Sequence, residues 1–202
     1  MDPFSPDGEL VNIHTAFVQG QYNNVLNDFS EDDFSSSNAL PVRILQYRAQ
    51  CALCQYDDVI GAISDSDAKS NPDLAAARTF ASFLKSGADA EGNAVSEAER
   101  LAEQYGDNLT VELLCGTVLA RVGKAEQAVA LLQKHQGSLD AVALLAQIQL
   151  SLNRTDLAVK EAKGARSMGQ DALLVNLIES WVGMRQVRSC LLLPQEVLGG
   201  VC

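Results

Sequence analysis

Aromatic residues are scarce in this 202-residue chain, at 5% with a single Trp, and runs of Val, Ile and Thr are few. Strands draw on those residue types, so a sandwich or barrel is disfavoured. Basic residues are outnumbered 15 to 26 by acidic ones, giving a net charge of −11 and a pI near 4.5. Proteins that bind nucleic acid or anionic membranes through overall charge need a cationic footprint, which is missing here. No run of apolar residues is long enough to read as a membrane span. The start, Met1-Asp2-Pro3-Phe4-Ser5-Pro6-Asp7-Gly8-Glu9, lacks the basic and apolar regions of a secretory signal. Five cysteines, at 51, 54, 115, 190 and 202, are an odd number and do not suggest a disulfide framework. A reducing cytosolic compartment is the expectation.

What is present points to helix. Hydrophobic residues reach 47% and charged ones 20%, enough for a packed core in one domain or a short array of repeats. Alanine, the strongest helix former, is abundant. The charge is uneven. Residues 1–50 and 51–100 each carry −5, residues 101–150 carry −2, and residues 151–202 carry +1. The expected product is an all-α, water-soluble protein with an acidic amino-terminal half.

Gly and turn signals cut the chain into helix-length pieces. Leu10 to Phe17 precedes a break at Gly20-Gln21-Tyr22, and Val25 to Phe29 follows it. Ser30 to Asn38, acidic and Ser-rich, reads as a loop. Pro41 suits the first turn of a helix to Leu53, followed by Asp57 to Ile63. Asn71-Pro72 opens a third long helix ended by Ser86-Gly87, and its mate carries Ala94 to Ala102. The fourth pair is Leu109–Val122 with Ala125–Gln133, and the fifth is Leu139–Leu152 with Thr155–Met168. Ala172 to Met184 would lead a sixth pair.

The turn residues between pairs are 20, 54, 87, 123 and 153, spaced by 34, 33, 36 and 30. A helix–turn–helix period of about 34 residues marks tetratricopeptide-type repeats. Gly116 and Ala128 in the fourth pair, and Ala146 and Ala158 in the fifth, are small where two helices must approach closely. The expected architecture is a tetratricopeptide-like α-solenoid of about five and a half hairpins over residues 1–186. An irregular Ala-rich bundle is the alternative. In a curved solenoid the first helices line a concave face. Register places His14 and Phe17 there, with Ile44, Arg48 and Cys51, Leu113, Thr117 and Ala120, and Ala143, Gln147 and Leu150.

Catalytic chemistry is hard to assemble, and an enzyme is not expected. His14 and His135 are isolated in the sequence. Cys51-x-x-Cys54 has no second pair at metal-ligand spacing and no preceding strand, so both read as small core residues rather than zinc ligands or a redox pair. No phosphate loop, Gly-x-Gly-x-x-Gly, Gly-x-Ser-x-Gly or His-Glu-x-x-His occurs. No metal or cofactor is expected. Arg154, Lys160, Lys163 and Arg166 form a basic stripe on the second helix of the fifth pair. It reads either as a solvated outer face or as a contact for an acidic partner segment.

An ordered set of short pieces carries a resemblance. It runs from Ala16-Phe17-Val18-Gln19-Gly20-Gln21-Tyr22 through Tyr47-Arg48-Ala49 and Pro72-Asp73-Leu74-Ala75-Ala76-Ala77-Arg78. Leu152-Asn153-Arg154-Thr155-Asp156-Leu157-Ala158-Val159-Lys160 and the segment with Trp181 follow. From about Leu10 to Trp181 the chain resembles the epsilon subunit of coatomer, the coat of COPI vesicles. The resemblance implies a non-enzymatic α-solenoid that wraps part of the carboxy-terminal region of coatomer's alpha subunit and stabilises it. It also implies a cytoplasmic protein, peripheral on Golgi membrane only through the assembled coat, in Golgi-to-ER retrograde and intra-Golgi transport. A general tetratricopeptide adaptor or co-chaperone, clamping a peptide in its groove, is the competing reading. Such a clamp calls for several groove cations, and register supplies only Arg48.

Residues 187–202 continue no repeat and match nothing in that family. Pro194 and Gly199-Gly200 argue against a long helix there. Val187-Arg188 is what a splice-donor sequence would encode, so translation into a retained intron is one expectation and a gene-model error another. Either would leave the sixth leading helix without its mate, with weaker partner binding and lower solubility expected.

Overall fold

Three of the long helices begin where a polar side chain caps a free backbone N–H group, and several end in a left-handed turn. The computed structural model describes residues 8–87 and 92–191. All regular structure among them is helical: α1 (Val11–Val18), α2 (Tyr22–Asn27), α3 (Ala39–Ala52), α4 (Tyr56–Ala62), α5 (Asp65–Ser70), α6 (Pro72–Ser86), α7 (Asn93–Gln104), α8 (Leu109–Arg121), α9 (Ala125–Leu132), α10 (Leu139–Ser151), α11 (Thr155–Met168) and α12 (Leu173–Leu191). Five hairpins result, α1/α2, α3/α4, α6/α7, α8/α9 and α10/α11, with α12 packed on the fifth. The fold is the tetratricopeptide-like solenoid that the 34-residue period predicts.

The turns carry the repeat at atomic level. Residues 20, 54, 87, 123 and 153 all have positive φ: Gly20 at 76°, Cys54 at 62°, Gly87 at 76°, Gly123 at 83° and Asn153 at 58°. In four hairpins the amide three residues past the helix closes on the carbonyl five residues back. These bonds are Gln21 to Ala16 at 2.9 Å, Gln55 to Gln50 at 2.9 Å, Lys124 to Leu119 at 2.9 Å and Arg154 to Gln149 at 2.8 Å. This is the Schellman closure, which satisfies carbonyls a helix end would leave bare. It also reverses the chain at one fixed angle, so successive hairpins stack alike. At the other end, Asn71, Asn108 and Ser138 accept backbone N–H bonds that start α6, α8 and α10.

Small residues sit where the two helices of a hairpin meet. A methyl added at Gly116 would lie 3.3 Å from Cγ of Leu132, and Ala128, Ala146, Ala158 and Ala165 are buried completely. The core falls into three clusters: α3, α4 and α6 to α10 in the middle, α10 to α12 at one end, and α1 to α3 at the other.

The loop expected at residues 30–38 contains one 3-10 turn, Glu31–Asp33, closed by a reciprocal Ser30–Asp33 capping box. Nothing in the sequence pattern marks α5. Its six residues have one apolar side chain, Ala68, and the helix rests on the Ser64 side chain accepting from the Asp67 amide. Cys54 departs from expectation. It is exposed at a left-handed turn rather than in the core, while Cys51 is buried as expected. Helix α12 runs to Leu191, five residues past the boundary expected at 186, and residues 192–202 lie outside the described residues.

Candidate partner-binding interior

Helices α1, α3, α6, α8, α10 and α12 supply the inner wall of the superhelix. In an open solenoid each hairpin touches only its neighbours. Here the first hairpin reaches the fifth. The His14 ring, in the middle of α1, donates from Nε2 to Oδ2 of Asp140 at 2.9 Å, across 126 positions of sequence. Val18, also on α1, packs on the α10–α12 cluster. The array therefore curls until its ends meet.

The interior holds two cavities that share Arg48, Leu113, Leu114 and Asp140 as a common wall. The smaller, about 360 Å³, is lined also by His14 and Ile44, with Leu10 and Leu40. The larger, about 550 Å³, has Phe17, Cys51, Thr117, Ala143 and Gln147 on its wall. Nine of the eleven residues that register alone places on the concave side thus line one cavity or the other. Leu150 does not; it packs against the α10–α12 core. Ala120 likewise packs into the central cluster. Five half-buried aromatics, Phe17, Tyr22, Tyr56, Phe80 and Trp181, concentrate in the larger cavity. Five of the chain's eleven aromatics thus lie where a ligand would meet them.

Asp140 and Arg121 are interior residues that sequence reasoning missed. Asp140 sits in the first turn of α10, where an acid is explained by the helix dipole alone. Arg121 ends α8, where a cation is equally unremarkable. No local signal separates these from any other terminal charge.

The electrostatics of the shared wall are those of a partly dried ion cluster. Burial opposes ionisation of Asp140, but the His14 hydrogen bond and the charges of His14 and Arg48 outweigh it and hold the carboxyl below its usual range. The Arg48 guanidinium lies 4.5 Å over the Phe17 ring and 3.9 Å from Oδ1 of Asp140. Burial pulls the Arg48 pKa down, and Asp140 partly restores it. Cys51, on the same wall, is pushed up to about 11 by burial, so it is a neutral thiol at physiological pH.

Elsewhere the chemistry is structural. No group of His, Cys, Asp and Glu among the described residues could hold a metal ion. Nδ1 of His135 accepts the Gly137 amide at 3.2 Å and closes a turn. Lys160, Lys163 and Arg166 are exposed on α11. In that stripe Arg166 meets Glu179 at 3.3 Å and Arg154 meets Asp156 at 3.7 Å.

Comparison with known proteins gives a family for this architecture. The coatomer epsilon subunit family model matches residues 6–191. Coatomer subunit epsilon-1 of Arabidopsis thaliana is 28% identical over 183 residues, which is 89% of this chain and 60% of that protein. Coatomer subunit epsilon-1 of Oryza sativa subsp. japonica is 29% identical over 198 residues, 95% of this chain and 66% of that protein. The chain therefore spans about three fifths to two thirds of the length of these relatives.

Proposed function

The chain belongs to the coatomer epsilon subunit family, and from that premise we propose that it is a non-catalytic structural subunit of the COPI coat. In this reading its interior receives a segment from the carboxy-terminal region of coatomer's alpha subunit and stabilises it, in Golgi-to-ER retrograde and intra-Golgi transport. The observation that supports it most directly is the pair of adjoining cavities along the inner wall, apolar and aromatic over much of their lining. Concave sites of this size and character suit a polypeptide segment that buries large side chains. His14, Phe17, Ile44, Arg48, Leu113, Thr117, Ala143 and Gln147 are the proposed contacts, and Leu150 supports them from behind.

The same reading places the protein in the cytoplasm, reaching Golgi membrane only through the assembled coat. No helix among the described residues is long and apolar enough to cross a membrane. Affinity capture from cell extract tests the assignment. Recovery of alpha subunit together with other coat subunits is the expected result. Recovery of heat-shock chaperones without coat subunits would replace it with the adaptor reading.

A further inference from the structure

Arg48 is a half-buried cation on the wall of both cavities with its hydrogen-bonding capacity unspent on the protein. Its side chain is 20% exposed, whereas the other ion-paired arginines range from 32% to 59%. Its contact with Phe17 uses no donor, and Oδ1 of Asp140 at 3.9 Å is beyond hydrogen-bond reach. Among the described residues the guanidinium makes no hydrogen bond, although it carries five N–H donors. The other Asp140 oxygen is committed to His14. Donors that face a cavity without a protein partner are available to a ligand, and a guanidinium fork fits a carboxylate through two parallel bonds.

The surroundings favour the same ligand. In a chain of net charge −11, the larger cavity presents Arg48 and Arg121 against one acid, Asp140. Arg121 is exposed on that wall and forms no ion pair among the described residues. Phe17, Tyr22 and Trp181 offer aromatic surface beside the two arginines. We propose that the interior recognises an acidic side chain of a partner polypeptide, its carboxylate seated on Arg48 and its apolar neighbours packed on Phe17, Tyr22 and Trp181. Arg121 adds a second positive charge toward the mouth of the cavity. This rests on the reading that the interior receives a partner segment, and it supplies the chemistry of that segment.

The test is selection of random peptides displayed on phage against the full chain and its Arg48→Met and Arg121→Gln variants. The expected wild-type result is enrichment of Asp or Glu flanked by Leu, Phe or Trp. Replacing that acid by its amide should weaken binding about tenfold or more. Arg48→Met should lose the preference for acid. Arg121→Gln, at an exposed position that the fold does not depend on, should weaken binding several-fold and flatten its salt dependence. Gln147→Trp, which narrows the same cavity, should abolish binding and so distinguishes interior from surface binders. Selected peptides without an acid, or an acid preference that survives in both arginine variants, would overturn the proposal. Capture of alpha subunit by Arg48→Met as well as by the unaltered chain would sink it while leaving the coat assignment standing. Failure to capture alpha subunit alongside a persistent acid preference would do the reverse.

Discussion

The Nε2 atom of His14 and the Oδ2 atom of Asp140 meet at 2.9 Å although they are 126 positions apart in the sequence. Their side chains are 9% and 12% exposed. This bond ties the first hairpin to the fifth and turns an arc into a closed curve. Removing one partner leaves the other, and Arg48 with it, unpaired in a largely buried site.

Asp140→Ala should therefore cost about 3 kcal/mol of stability in urea unfolding, the scale for breaking a buried charged pair. Its pH dependence has a definite sign. The Asp140 carboxyl is held below its ordinary value in the folded chain. The stability it contributes is thus fully present above the unfolded range near 4 and is lost as pH falls through the lowered folded value. The stability gap between the unaltered chain and Asp140→Asn should shrink as the pH drops below about 4. A gap that widens under acid would contradict the assignment.

Cys54 occupies a left-handed position that glycine fills at residues 20 and 123. An L side chain there costs about 1–2 kcal/mol, and glycine's extra freedom when unfolded returns part of that. Its sulfur accepts a hydrogen bond from the exposed Tyr56 hydroxyl at 3.3 Å, a weak contact to lose. Cys54→Gly should stabilise the chain by about 0.5–1 kcal/mol, read as a melting temperature about 2 °C higher.

The cysteines should separate by reactivity. Burial pushes Cys51 up to about 11 and Cys115 up to about 12, whereas Cys54 is exposed. Only the thiolate attacks an alkylating agent. At pH 8, iodoacetamide followed by peptide mapping should label Cys54 in the native chain. Cys51 and Cys115 should be labelled only after denaturant is added.

Gly116 sets the approach of α8 to α9. A single methyl there would press on Leu132 at 3.3 Å while improving helix propensity by about 1 kcal/mol, so Gly116→Ala should fall within about 1 kcal/mol of the unaltered chain. Gly116→Leu has no room and should cost about 2–3 kcal/mol in thermal or chemical unfolding. Equal stability of the two variants would mean that the hairpin does not pack through this position.

Much of the fold was legible because its determinants are local. Gly20, Gly123 and Asn153 announce the turns, and Pro72 with Asn71 announces a helix start. The apolar spacing from Leu109 to Val122 announces a face. The Asp65–Ser70 helix was not legible, since six polar-rich residues show no period and depend on one Ser64 cap. Cys54 misled for a related reason: its type suggests burial, and only the repeat register reveals a turn. On the inner wall, periodicity located Phe17, Arg48, Thr117 and Gln147 but was blind to Asp140 and Arg121, whose positions at helix ends carry their own local explanation.

By itself the sequence determined the hairpins, their order and which helix faces look inward, because hydrogen bonds, left-handed turns and side-chain period act within a few residues. The tertiary structure decided that the array closes on itself. Small rotations between neighbouring hairpins accumulate over five repeats, and no single stretch of sequence contains their sum. That sum alone brings His14 to Asp140, sets Arg48 against Phe17, and gathers five of the chain's eleven aromatic residues around one cavity.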